Sequence, residues 1–127
     1  MDKTALVDVE VDKGARILQI LDDAGFEIKV ALWAYLGDYE DWRLVLASRK
    51  FDAAGLRDSY GRLHKALDKA GIPLEQTPVV VILRIADPFV KALRRSFAKA
   101  KSIEGMRLGG QTIGNRYLDD AYVYRVS

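Results

Sequence analysis

The chain has 127 residues, half of them hydrophobic and 30% charged, with no cysteine and a formal net charge of +2. That length and balance suit one domain spanning residues 1–127, and they exclude disorder, a disulfide scaffold, a cysteine-ligated metal and a thiol nucleophile. The charge is uneven: residues 1–41 hold ten acids against four bases, which leaves the remainder at net +8, as a basic binding surface or opposed faces in an oligomer would require.

The first ten residues lack the basic start and apolar core of a signal peptide, and no apolar run reaches membrane length. The expectation is therefore a cytoplasmic protein with no membrane contact. Val7, Val11, Gly14, Leu18 and Leu21 lie at i, i+4, i+7, i+11 and i+14, one face of a helix from about Asp8 to Ala24 with Gly25 as its C-terminal cap. Alternation over Val7–Val11 keeps an initial edge strand as the rival. From Phe26 to Leu36 the period becomes two, and it resumes at Trp42–Ala47 beyond the polar turn 37–41, which predicts a β-hairpin. A turn symmetric about Tyr39 pairs Leu36 with Trp42, Ala34 with Leu44 and Leu32 with Leu46. The other face then shows Tyr35 beside Arg43, Trp33 beside Val45 and Lys29 beside Arg49; a one-residue bulge would change this.

Asp52 starts a second predicted helix that ends near Gly71, with Leu56, Tyr60, Leu63, Leu67 and Ala70 inward and Arg57, Arg62, Lys65 and Lys69 outward. The aliphatic run Val79–Leu83 follows and reads as a strand buried on both faces, hence a central strand. Asp87 and Pro88 form a helix-start pair. The third helix points Phe89, Val90, Leu93 and Phe97 inward, and Lys91, Arg94, Arg95, Lys99 and Lys101 outward. A second hairpin closes the chain, with arms at 103–108 and 116–126 and a glycine-rich loop, Gly109–Asn115, between them. On its last strand Leu118, Asp120, Tyr122, Tyr124 and Val126 share one face. The order α-β-β-α-β-α-β-β predicts an α+β fold: a mixed five-stranded sheet with three helices mainly on one face.

Two surfaces carry candidate binding residues. Five cations within Lys91–Lys101 could track a phosphate backbone, although a charged outer face is the ordinary state of a surface helix. The hairpin face of Trp33, Tyr35 and Arg43, with Lys29 and Arg49 at one end, could stack unpaired bases, pack on a partner or dimerise. Catalytic constellations are weaker. Glu27-Ile28-Lys29 has the Glu-x-Lys pattern of metal-dependent nucleases, but the partner strand ends in Ser48-Arg49-Lys50 and offers no second carboxylate for Mg²⁺. His64, the only histidine, has Asp68 one turn on but no serine nucleophile in a strained turn. Asp87 is occupied as a cap, and Asp119 and Asp120, adjacent on a strand, point to opposite faces. No cofactor or metal is expected.

Residues 24–33 (Ala-Gly-Phe-Glu-Ile-Lys-Val-Ala-Leu-Trp) and 117–126 (Tyr-Leu-Asp-Asp-Ala-Tyr-Val-Tyr-Arg-Val), with Trp42–Ala47 and Asp87-Pro88 between them, give the chain its family likeness. It resembles small uncharacterised bacterial α+β proteins of similar length, a family with no assigned function. The resemblance implies a bacterial cytosolic protein of one α+β domain and transfers no activity. The leading functional expectation is a non-enzymatic binding domain, a homodimer or the partner of another protein. Nucleic-acid binding through the 88–101 helix and the 26–49 hairpin is the alternative, and a metal-dependent nuclease-like enzyme ranks third.

Overall fold

A computed structural model describes residues 6, 8–36, 41–98, 100 and 103–127. The elements in order are α1 (Asp8–Asp23), β1 (Val30–Leu36), β2 (Asp41–Ala47), α2 (Arg49–Ala54), α3 (Leu56–Lys69), a 3-10 turn (Leu74–Gln76), β3 (Val80–Ile82), α4 (Pro88–Phe97), β4 (Met106–Ile113) and β5 (Arg116–Val126). The strands form one mixed sheet in the order β3-β2-β1-β5-β4, parallel only between β2 and β3. The fold is α+β. α1, α2 and α3 lie on one face and α4 on the other.

The α1 pattern forms as a helix, which settles Asp8–Val11 against the strand rival. Its end is a paired glycine cap: Gly25 N–H donates to Asp22 O and Phe26 N–H to Leu21 O. The single helix expected from Asp52 to Gly71 is two. Ser48, not Asp52, caps α2, its hydroxyl accepting from Lys50 N–H. Gly55 (φ 86, ψ 159) then breaks the chain between α2 and α3, in a region of backbone space that only glycine visits without strain. Asp52 instead accepts the Ile85 N–H at 3.2 Å.

Of Val79–Leu83, expected as a central strand buried on both faces, Val80, Ile82 and Leu83 are buried and Val81 half-buried, but Val79 is 49% exposed, and β3 is an edge strand. Val80 and Ile82 pack with the α1/α3 layer, and Leu83 and Ile85 with the α4 layer. Helices above and below bury a strand without any need for two strand neighbours. The outward Ile82 N–H donates to the Tyr60 hydroxyl at 2.9 Å, which blunts this edge. The central strand is β1, whose seven residues are all buried.

The first hairpin has the expected arms in a different register. β1 starts at Val30, and Tyr35 pairs with Trp42, Trp33 with Leu44, and Ala34 with Arg43. This is one residue from the symmetric pairing, and it reverses the relation between the two strands' faces. The turn residues 37–40, including Tyr39, lie outside the described residues. In the second hairpin β4 runs through most of the expected glycine-rich loop, and only Gly114-Asn115 connects Ile113 to Arg116. Register shifts between β5 and β1 near Asp119 and Tyr124 also overturn the face assigned to the last strand. Leu118, Ala121, Val123 and Val126 join the α4 layer, while Tyr122 and Tyr124 face α1.

Candidate ligand cleft

The residues expected to form one binding surface are divided between layers. Trp33 (2% exposed) and Tyr35 (7%) lie inside the α1/α3 core. The Trp33 indole donates to the Tyr124 hydroxyl at 2.8 Å, and the Tyr35 ring meets Trp42 edge-on at 5.6 Å. Arg43, opposite Ala34, belongs to the other face. The open aromatic-basic face is therefore corrected to a covered core. The shifted register places Trp42 and Leu44 beside these aromatics, and α1 packs over them. Lys29 is half-buried beside β2, its N–H on Ala47 O, and Arg49 is the exposed first residue of α2. On α4, Lys91 and Arg95 are exposed, and Arg94 donates to Ser127 O at 2.8 Å. Lys99 and Lys101 lie outside the described residues.

The catalytic candidates are likewise dispersed. Glu27 sits in a left-handed turn (φ 53) before β1, away from any carboxylate pair. His64 makes no hydrogen bond to Asp68, and its Nδ1 is buried with no partner among the described residues. Asp87 caps α4, accepting from Phe89 N–H at 2.9 Å, and lies 3.7 Å from Arg116. Asp120 receives Arg107 at 2.8 Å. Among the described residues no group of three histidines or acids could hold a metal ion, and no helix is long and apolar enough to cross a membrane.

A different site emerges where α1 ends against α2 and α3. The glycine cap of α1 turns Phe26 inward, and its ring rests on Phe51 of α2 at 5.3 Å between centroids. The Ser48 hydroxyl ties the two walls together, donating to Phe26 O at 2.6 Å while it caps α2. Ser59, fully buried in α3, donates to Phe51 O and Gly55 O and holds α2 against α3. Between these walls lies a cleft of about 420 Å³. That volume falls in the range of small-molecule sites.

The cleft has an apolar floor and a basic rim. Ala24, Phe26, Phe51, Ala54 and Ala66 supply the floor, and Lys50, Arg62, Lys65 and Lys69 the rim. Arg62, Lys65, Ala66 and Lys69 stand at i, i+3, i+4 and i+7, so one face of α3 delivers three cations and an alanine to the same opening. Among the described residues no acid lines the cleft, and none of the four cationic side-chain heads forms a hydrogen bond or ion pair. Such an arrangement can desolvate an apolar body while several cations neutralise an anionic head at its mouth.

The basic side of α3 is visible in the sequence, as Arg62, Lys65 and Lys69. The contributions of Lys50, Phe26 and Phe51 are not, because they depend on the break at Gly55 and the turn at Gly25. No protein-family model, curated protein or solved structure matches the chain.

Proposed function

We propose that the protein is a non-enzymatic binding domain that takes an amphipathic organic anion in the α1–α2–α3 cleft. One observation carries this reading: among the described residues, four cations without ion pairs line an aromatic-floored cleft to which no acid contributes. A ligand with an apolar body and a carboxylate, sulfonate or phosphate head satisfies both parts; inorganic phosphate satisfies only the rim.

The test uses 8-anilinonaphthalene-1-sulfonate as the probe, followed by fluorescence, with octanoate and inorganic phosphate as competitors. One probe should bind per chain, and octanoate should displace it at concentrations where phosphate does not. The double substitution Lys65→Glu/Lys69→Glu should weaken binding about tenfold, the equivalent of roughly 1.4 kcal/mol. Equal displacement by phosphate, or unchanged affinity in the double variant, would sink the proposal.

A further inference from the structure

The two edges of the sheet are treated differently. β3 is three residues long, and Tyr60 occupies one of its outward N–H groups. β4, at the other edge, is eight residues long and carries neither proline nor lysine; its protection is limited to Arg107, held by Asp120, to the left-handed Gly110 and to the Met106 N–H, which donates to Ile103 O. A long edge strand so lightly protected is open to another strand. Beside β4 runs a groove of about 270 Å³ between that strand and α4, floored by Ala92, Phe97, Leu108 and Ile113 and edged by Ser96, Gln111 and Thr112. A second hollow of about 410 Å³ continues it past the Gly114-Asn115 turn, where Lys91 and Arg95 stand. Neither hollow is lined by an acid, and α4 contains none. Lys91 and Arg95 form no ion pair with a described residue.

We propose that β4 and α4 together form a docking surface for an extended acidic peptide of another protein, which adds to the sheet as a sixth strand. The free backbone groups of β4 supply main-chain pairing. Alternate peptide side chains enter the apolar groove against α4, and the others face solvent. At the peptide end beside Gly114-Asn115 the groove-side positions are acidic and meet Lys91 and Arg95. The occupant is a foreign acidic strand and not a second copy of this chain: β4 carries no acid, and a two-fold antiparallel pairing of β4 edges would bring the Arg107 end of the copy towards Lys91 and Arg95, a like-charge contact. This surface is separate from the cleft and does not depend on it.

The probe is an acetylated, amidated octapeptide whose groove-side positions are two glutamates followed by two valines, with threonine at the positions between, titrated into the full chain and followed by amide chemical shifts and hydrogen exchange. Binding should protect β4 amides and weaken as salt is raised from 50 to 300 mM, values chosen to shorten the screening length from more than 10 Å to well below it. Lys91→Glu/Arg95→Glu should weaken binding about tenfold, as expected for two exposed charge contacts. Two further peptides, N-methylated on alternate amides in the two opposite phases, test the pairing on the unaltered protein; one phase should abolish binding and the other should not. Four results would each overturn the proposal: no binding of the glutamate peptide at low salt, equal binding of the same peptide with lysine in place of glutamate, unimpaired binding of both methylated peptides, or dimerisation through β4 without peptide, seen by light scattering.

Discussion

Three residues join α1 to the central sheet through one contact. The Tyr124 hydroxyl accepts from the Trp33 indole at 2.8 Å and donates to the Val11 carbonyl at 2.5 Å. Gly14 makes room for that pair: a Cβ there would stand 2.7 Å from the Trp33 nitrogen and closer still to the Tyr124 oxygen. Glycine in a helix ordinarily costs about 1 kcal/mol relative to alanine. Here Gly14→Ala is expected to destabilise, by about 1–3 kcal/mol, because two interlocked aromatics must move. Urea denaturation measures it, and a gain in stability would refute the close approach. Tyr124→Phe leaves the Trp33 N–H buried without an acceptor, at a cost of about 1–3 kcal/mol near neutral pH. Its pH dependence has a definite sign. Burial, the largest cause, pushes the Tyr124 hydroxyl from 10.0 up to about 12. The folded state therefore favours the neutral phenol, and its contribution is complete below pH 10 and lost as pH rises towards 12. The stability gap between wild type and Tyr124→Phe should narrow over that window. A gap constant from pH 8 to 11.5 would show that Tyr124 is not held neutral by the fold.

At the scale of elements, periodicity located α1, α3, α4 and both hairpins, while α2 as a separate helix, the joints and the registers escaped it. The stripe Leu56, Tyr60, Leu63, Leu67 is a true helical face, but it says nothing of the chain before Leu56. Gly55 could be read as one tolerated glycine in a longer helix; only its φ of 86 and ψ of 159 make it a joint. Gly55→Ala is accordingly expected to cost about 1–3 kcal/mol. A Cβ there meets nothing within 4 Å, so the penalty would come from the backbone alone. Denaturation of Gly55→Ala measures this cost, and an alanine variant as stable as wild type would count against a required joint. The hairpin register failed for a related reason. Trp33 and Tyr35 are amphipathic in type and alternate with aliphatics on a strand whose two faces are both buried, so alternation could not name the outer face. A single residue in the turn decided it. The run Val79–Leu83 pointed to burial on both faces, which holds for Val80, Ile82 and Leu83 but not for Val79; two helical layers provide that burial as well as two neighbouring strands do.

At the scale of the whole molecule, the sheet separates two cores. One holds α1 and α3 against Trp33, Leu44 and Leu46, and the other holds α4 against Leu32, Val45 and Val123. The proposed cleft belongs wholly to the first layer and the proposed peptide groove to the second. This explains why neither was fully legible: each needs residues from elements that the sequence places far apart, as with Phe26 and Phe51, brought together by their ring contact and by the Ser48 hydrogen bond. Both layers share the backbone of β1, so they should unfold together despite having separate side chains. Leu67 and Leu93 are each fully buried, one in each layer. Leu67→Ala and Leu93→Ala are each expected to cost about 2–5 kcal/mol. With no shared side-chain cluster, the double variant should be additive within about 0.5 kcal/mol. Both tryptophans lie in the α1/α3 layer, so their fluorescence reports that layer, while circular dichroism reports all helices. In Leu93→Ala, whose cavity lies in the opposite layer, the two signals should still give one coincident transition. If the dichroism signal fell first and the fluorescence held, α4 would be an independently melting layer, and a strand docked beside it could come and go without disturbing the cleft.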